Sequence, residues 1–261
     1  MSIPQQVKVM YFGPLPGGRS HTAFRSRWRQ HGRLAMGLPM WRHMARYEQH
    51  DVLTAGEEQL SAAQLEGSRT DAYGGVGMIW FRDADALASA SADPDVAVMC
   101  TDEIATFGRE LGVSLVPTTE HVVYDRGAGS ITLIAVIWRQ PSVTREEFSE
   151  QWLAMGELFA AAPELAGHVC RYVQNHALVG ADGADGFVEL GFQSAEELAA
   201  FMAEPRLTTW LTPIESEFVD YARIEIVVAR RTVLYEETDD ATRAEPHPGE
   251  ARTRLDPSST R

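Results

Sequence analysis

The segment FRSRWRQHGRLAMGLP at residues 24–39 decides the fold, because a closely similar segment, FSEQWLAMGELFAAAP, returns at residues 148–163. Phe24 and Phe148 lie 124 positions apart, and the Trp, the first Gly and the final Pro of the motif keep that spacing. Other aromatic residues match at 125 positions from Tyr47 and at 111 positions towards the end of each half. A match of this length predicts an internal duplication.

Each half shows the same order of predicted elements. In the first half, the strand-forming run at 7–12 ends in a Gly/Pro cluster, and Ser20 or Thr22 can cap the helix that follows. Strand, strand, helix and strand then follow in both halves. This β-α-β-β-α-β order is typical of a ferredoxin-like unit, which leaves one sheet face uncovered. We therefore predict an α+β fold in which two tandem units bury those faces against each other, as a single-chain, pseudo-dimeric α+β barrel.

The predicted boundaries are 1–127 for unit 1, 128–236 for unit 2, and 237–261 for a polar, disordered tail. A formal net charge of −14 argues against nucleic-acid binding, which needs clustered Lys and Arg. No apolar run approaches the ~20 residues that span a bilayer, and no secretory signal opens the chain. Cys100 and Cys170 have no CxxC spacing. They indicate reduced, buried thiols in a cytoplasmic protein.

The second half resembles an EthD domain, the family named for ethyl tert-butyl ether degradation, in RQPSVTREEFSEQW, RYVQNHAL, GFVELGF and AEELAAFMAEP. The first half resembles it more weakly, through QHGRLA, with Arg33 where the family usually has Pro. The resemblance implies a dimeric α+β barrel enzyme without metal or organic cofactor, although some barrel relatives bind haem. Many relatives are cyclases, decarboxylases, dehydratases or anthrone-type oxygenases of aromatic polyketides.

Four residues are the candidate acid/base groups. His31 lies on the apolar face of its helix where the second half has Met155, so it is either a catalytic base or a hydrogen-bonded core histidine. His50 could share a ligand with His31 if it faces that helix. His176 and Glu189, with Asn175, form a second candidate site; the alternative for Glu189 is an ion pair with Arg171 or His176.

Other polar and aromatic residues could bind the substrate. His50 and Asp51 point to opposite faces of a strand, and whether His176 matches Asp51 or His50 is open. The first half also carries 14 extra residues at 54–74, since the separation falls from 125 to 111. This insertion is either a lid or a surface loop. The predicted substrate-binding residues are Tyr47, Asp51, Trp80, Trp138, Tyr172 and Asn175.

The sequence lacks a GxGxxG, a P-loop, an HExxH and a GxSxG motif, and its histidines have no metal-ligand spacing. We therefore expect an enzyme without cofactor or metal that acts on a small hydrophobic, aromatic or polyketide-like substrate as a cyclase, dehydratase or decarboxylase. Cofactor-free oxygenation of a phenol or anthrone is the alternative reaction. A non-catalytic ligand carrier is the alternative class. We expect a pseudo-dimeric monomer, and further pairing to a homodimer stays open.

Overall fold

The protein is described by a computed structural model that covers residues 6–127, 129–178 and 183–237. From residue 238 onward, the predicted polar tail lies outside the described residues. Within the described residues, no helix combines the length and the apolar character that crossing a membrane requires.

The first half contains four strands and three α-helices in the predicted order. Ser20 is the N-cap of the first helix, since its side chain accepts a hydrogen bond from the Ala23 amide. The elements are β1 (Val7–Pro14), α1 (His21–Met36), β2 (Met44–Val52), β3 (Tyr73–Phe81), α2 (Ala84–Ser91), α3 (Val96–Phe107) and β4 (Val116–Asp125).

The second half repeats this order among its described residues, with a different final helical segment. Thr144 and Glu147 form a capping box at the start of its long helix. The elements are β5 (Ile131–Ile137), α4 (Arg145–Ala160), α5 (Pro163–Ala166), β6 (Arg171–Ala177), β7 (Gly186–Phe192), α6 (Ala195–Ala203), a π-helical turn (Leu207–Leu211), α7 (Thr212–Glu215) and β8 (Glu225–Glu236).

The eight strands close into one antiparallel barrel in the order β1-β3-β2-β8-β5-β7-β6-β4. The last strand of each half pairs mainly with the other half. β4 runs along β6 from Thr118 to Asp125 but pairs with β1 only over Lys8 to Met10, and β8 runs along β2. The barrel joins both halves into one core, and the predicted α+β barrel is confirmed.

The helices cover the outside of the barrel. Trp28 on α1 lies flat against Gly75, where an added Cβ would come within 2.1 Å of the ring. Trp152 on α4 lies against Gly186 in the same way, at 2.4 Å. Both Trp side chains are buried. Only glycine lets an indole approach a strand this closely.

The barrel interior is apolar at one end and ionic at the other. Met10, Phe12, Val76, Ile134 and Phe187 are buried together inside it. Towards the end where β1, β2, β5 and β6 begin, the inward positions carry charge instead. Buried charges are tolerated only when they are paired and hydrogen-bonded. The charged inward residues there are Lys8, Arg46, Glu48, Arg171, Glu189 and Arg231, with His50 among them.

The inserted segment at 54–74 is neither a lid nor a free surface loop. Leu60 and Leu65 are buried in the core of the second half, beside α4 and α6. The Gln64 side chain donates to the carbonyl of Ala195 at 2.8 Å, and the Arg69 amide donates to Ile226 at 2.8 Å. The insertion therefore links the first half to the second through packing and hydrogen bonds.

Replacing Leu60 with Ala is expected to lower the free energy of unfolding by about 2–4 kcal/mol, because the cavity lies in the shared core. Leu34→Ala is the matched control, since Leu34 is one-third exposed and should change stability by less than about 0.5 kcal/mol. Urea unfolding of both variants measures the difference. Equally small losses of unfolding free energy in both variants would contradict this role of the insertion.

Candidate active site

A cavity of about 390 Å³ lies in the first half, between the outer face of the sheet and the helices α1, α2 and α3. Its walls are mostly apolar, and Trp41, Ile79, Phe81 and Met99 form large parts of them. A few polar side chains interrupt these walls: His31, Tyr11, Tyr47 and Glu103, with Ser91 and Cys100 at the side of α2 and α3. An apolar cavity with a few convergent polar groups is the usual form of a small-molecule site.

His31 is held by a carboxylate that the sequence did not indicate. Its Nδ1 lies 2.7 Å from Asp102 Oδ2, across the contact between α1 and α3. Arg27 forms an ion pair with the other oxygen of Asp102, and Thr106 donates to Oδ2 at 3.3 Å. The imidazole packs edge-on against Phe107, with ring centroids 5.3 Å apart. The ring is thus fixed from several sides.

This arrangement sets the tautomer of His31. A carboxylate only accepts hydrogen bonds, so the proton lies on Nδ1 and Nε2 carries a lone pair. No described residue forms a hydrogen bond with Nε2. Burial lowers the pKa of His31, and Arg27 adds to this effect, while Asp102 offsets part of it. The imidazole is therefore neutral near pH 7 and can act as a base.

Two buried tyrosines leave one phenol proton free. Tyr11 Oη accepts from Trp28 Nε1 at 3.2 Å, and Tyr47 Oη accepts from Gln49 Nε2 at 2.7 Å. The two hydroxyls lie 3.5 Å apart, so one can donate to the other. The second O–H then has no acceptor among the described residues. Burial raises the pKa of both tyrosines, which keeps them protonated as donors.

Glu103 is a further titratable group in the cavity. One carboxyl oxygen accepts from the Leu111 amide at 2.8 Å. Burial raises the pKa of Glu103, although this hydrogen bond opposes the effect. A carboxyl group in such a place is suited to hold or return a proton.

The corresponding place in the second half carries apolar residues. Met155 stands where α1 has His31, and Ala135 where β1 has Tyr11. Phe159, the counterpart of Ala35 in the cavity wall, is buried against Tyr172 at 5.0 Å. The pair Tyr172 and Gln174 is retained, with Nε2 donating to Oη at 2.8 Å. The acid/base groups are thus specific to the first half.

The structure separates the two residues expected to act together as acid and base in the first half. His31 faces the cavity, whereas His50 faces the barrel interior with Glu48. Asp51 is the residue of that strand that faces α1, where it pairs with Arg29 at 2.5 Å. The condition for a ligand shared by His31 and His50 is therefore not met, because alternation along β2 turns Asp51 towards α1 and His50 into the barrel.

The second predicted site is divided in the same way. His176 faces α4, hydrogen-bonded to Ser149 at 3.0 Å, so it matches Asp51 and not His50. Asn175 and Glu189 face the interior and bind each other at 2.8 Å. Glu189 forms ion pairs with Lys8 and Arg171. Arg171 is one of the two ion-pair partners that were considered for it from the sequence.

The predicted binding residues also lie in different places. Of the six, Tyr47 lines the cavity, and Trp80 lines a smaller space inside the barrel. Tyr172 is packed in the second half, and Trp138 lies under Arg223, with its ring centroid 3.7 Å from the guanidinium carbon. Cys100, expected to be buried, is only partly so and borders the cavity. Within the described residues, no group of His, Cys, Asp and Glu has the arrangement of a metal site.

The NMR titration of the His31 ring is expected to give a pKa below the ordinary value of about 6.5. Asp102→Asn should lower the pKa further, because the carboxylate that favours the imidazolium is removed. His43 is a suitable internal reference, since its side chain lies outside the cavity. A His31 pKa that rises in the Asp102→Asn variant would contradict the assigned tautomer and pairing.

Comparison with known proteins places this geometry in context. A model of the EthD domain family matches residues 17–107, the half with the weaker motif resemblance. A search of curated proteins found no match. An anthrone oxidase-like protein of known structure aligns with a TM-score of 0.57 and 11% identity, over 90% of this chain and 95% of that one.

Two further solved structures are similar. A "putative monooxygenase" from Fusobacterium nucleatum subsp. nucleatum ATCC 25586 has a TM-score of 0.52 and 9% identity, over 91% of this chain and 100% of its own. A protein of the same description from Lactobacillus acidophilus NCFM has a TM-score of 0.49 and 8% identity, over 88% and 95%. The two alignments with TM-scores above 0.5 show, at 9% and 11% identity, a shared fold alone, and they leave the reaction to be argued from the cavity.

Proposed function

We propose that this protein is an enzyme that binds a small hydrophobic, aromatic or polyketide-like substrate in the first-half cavity and acts on it by acid/base chemistry without a cofactor. The observation that carries the proposal is the His31–Asp102 pair with its free Nε2 in an apolar cavity. The match to the EthD domain supports it, because it covers this half.

The mechanism follows from three groups. The spare O–H of the Tyr11–Tyr47 pair donates to a carbonyl oxygen of the substrate and stabilises the enolate that forms. His31 Nε2 takes the proton from the adjacent carbon, and Asp102 stabilises the resulting imidazolium. Glu103 or His31 then returns a proton to the product or to a departing hydroxyl. Cyclisation and dehydration of a β-keto compound use these steps. Decarboxylation of a β-keto acid forms the same enolate by loss of CO₂, after which His31 or Glu103 protonates its carbon.

We further propose that the chain consists of two EthD-like units, 1–127 and 128–236, of which only the first is active. The equivalent spacings and pairings of the two halves support this division. On this view the protein is a pseudo-dimeric cytoplasmic monomer whose partner is the substrate, without a nucleic-acid or membrane partner. The second unit completes the barrel. In it, Met155 and Ala135 stand in the places of His31 and Tyr11, and the bulky Phe159 stands in the place of Ala35.

A cofactor-free monooxygenase is the second candidate, supported by the similarity to the anthrone oxidase-like protein. His31 would remove a proton from an anthrone or phenol, and the electron-rich anion would react with dissolved O₂. With anthrone, one oxygen atom would enter the product as a carbonyl, and the other would leave as water with the two hydrogens of the reacting carbon. With a phenol, the two hydrogens of that water would come from the hydroxyl and from the ring C–H that is oxidised. The same base serves both reactions.

An aryl 1,3-diketone and anthrone are suitable probes. In D₂O, an acid/base enzyme is expected to accelerate exchange of the diketone α-proton, measured by NMR. With anthrone, an oxygenase is expected to consume dissolved O₂ in equal amount to the substrate. Saturable binding of both probes without exchange or O₂ uptake would identify a ligand carrier and overturn the enzyme proposal.

A further inference from the structure

A second, smaller cavity of about 100 Å³ lies inside the barrel, at the end where β1, β2, β5 and β6 begin. It is separated from the candidate active site by the thickness of the sheet, because Glu48 lines one and Tyr47 the other. Three guanidinium groups border it, those of Arg46, Arg171 and Arg231. A space of this size holds a few water molecules or one small ion.

The carboxylates of this cavity are already fully engaged. Glu48 accepts from Arg231 at 2.6 and 2.9 Å and lies 2.9 Å from His50 Nε2. Glu189 pairs with Lys8, accepts from Asn175 at 2.8 Å and from Arg171 at 3.3 Å. Their oxygens therefore have little capacity left for a bound cation.

The unsatisfied groups that border the cavity are nitrogen atoms. Arg46 Nε and His50 Nδ1 are buried and have no hydrogen-bond partner among the described residues. The His50 side chain is 1% exposed, so water outside the protein does not reach it. Arg46 Nε is always a donor, and an unpaired buried donor is costly, which indicates that a hydrogen-bond acceptor belongs beside it.

His50 has two states with different consequences. Glu48 fixes the Nε2 proton, so Nδ1 carries a lone pair in the neutral ring and a proton in the charged ring. Only the charged ring donates into the cavity. The charged groups that face His50 are Glu48 and Arg46 on β2, Arg231 on β8, Glu189 on β7, Lys8 on β1 and Arg171 on β6.

The charges of this end give no positive excess when His50 is neutral. Lys8 and the three arginines oppose five carboxylates, those of Glu48, Glu120, Asp125, Glu189 and the more exposed Glu236. An anion that enters alone would add to the negative excess in a place of low dielectric. An anion that enters with one proton on His50 leaves the net charge unchanged.

We propose that this barrel-end cavity binds one small oxyanion, of the carboxylate or phosphate type, together with one proton taken up by His50. Arg46 Nε and protonated His50 Nδ1 donate to the anion. Affinity therefore rises as the pH falls. The site is independent of the proposed reaction, because it faces the opposite side of β2.

Isothermal titration of the purified full chain tests this directly, with acetate and inorganic phosphate as separate probes. One saturable site is expected, with a dissociation constant about tenfold lower at about pH 5.5 than at about pH 8. Titrations in two buffers of different ionisation enthalpy should show uptake of about one proton for each anion. The stronger probe shows whether the site suits a planar carboxylate or a tetrahedral phosphate. Absence of saturable binding for both probes, or binding without proton uptake, overturns the proposal.

Variants locate the site. His50→Gln should remove the pH dependence, and Arg46→Gln should weaken binding by about tenfold or more. Arg230→Gln is the matched control: Arg230 neighbours Arg231 but faces outward to Glu58, and its loss should leave binding unchanged. Thermal unfolding identifies any variant that fails to fold, in which case the proton uptake of the unmodified chain decides. Equal binding in the Arg46→Gln variant and the unmodified chain would contradict the assignment.

Discussion

Replacing His31 with Gln is expected to reduce turnover by about 10²–10⁴-fold while ligand affinity stays within about threefold. Gln fills much of the same space and can still donate a hydrogen bond to Asp102, but it cannot accept the substrate proton at Nε2. The apolar walls that bind the ligand are unchanged. Quenching of tryptophan fluorescence, with Trp41 in the cavity wall, measures binding beside the exchange and O₂ assays.

His176→Gln is the control for this experiment. His176 is a half-buried histidine that packs against Trp152 in the second half, with ring centroids 4.5 Å apart. Its replacement should leave turnover unchanged. If both variants lose activity equally, or if His31→Gln retains it, the active site does not lie where we propose.

The second large effect concerns stability. Glu48→Gln is expected to lower the free energy of unfolding by about 3–5 kcal/mol, because Arg46 and Arg231 then lie together without their shared carboxylate. For a chain of this size, each kcal/mol corresponds to a fall in melting temperature of about 2–4 °C. Thermal unfolding at neutral pH measures the loss.

Glu58→Gln is the matched control, since Glu58 pairs with the neighbouring Arg230 on the solvent side of β8. That exposed pair should contribute less than about 1 kcal/mol. A comparable loss in both variants would show that the interior pair has no special role.

The stabilisation that Glu48 contributes depends on pH. Although burial raises the pKa of Glu48, hydrogen bonds from His50 and Arg231 and the charges of His50 and Arg46 lower it well below its usual range. The stabilisation is therefore complete above the ordinary pKa of about 4.5 and is lost as the pH falls below it, when the unfolded chain binds a proton first. The difference between the original chain and Glu48→Gln should shrink accordingly in acid.

Much of the fold could be predicted from periodicity. The spacing of Trp28 and Trp152 identified equivalent helices, and the uncovered sheet faces required the two halves to close on each other. His31 could be singled out as a polar residue on an apolar helix face, because Met155 occupies the matching position in the second half. These features are visible because strand alternation and helix period act locally, within one element.

The partners of His31 could not be predicted, because they come from another helix. Asp102 and Glu103 are neighbours in an ordinary acidic pair on α3, and their sequence gives no sign that both turn towards α1 and the sheet. Tyr11 could have been found, since it lies on the same, helix-covered face of β1 as Val7 and Val9. The direction of His50 depends on which face of β2 meets α1, and this is a tertiary property.

The exchanged last strands mean that the proposed catalytic half is not self-sufficient. Tyr235 on β8 packs edge-on against Trp41, at 5.4 Å between ring centroids, and Leu234 lies against Gly32, next to His31. The second half therefore supplies side chains that support the pocket from outside. A fragment ending at β4 would lack that support, whereas two fragments cut between Asp125 and Ile131 each carry the strand that the other needs. Activity restored by mixing such fragments would make this chain a natural candidate for a split reporter.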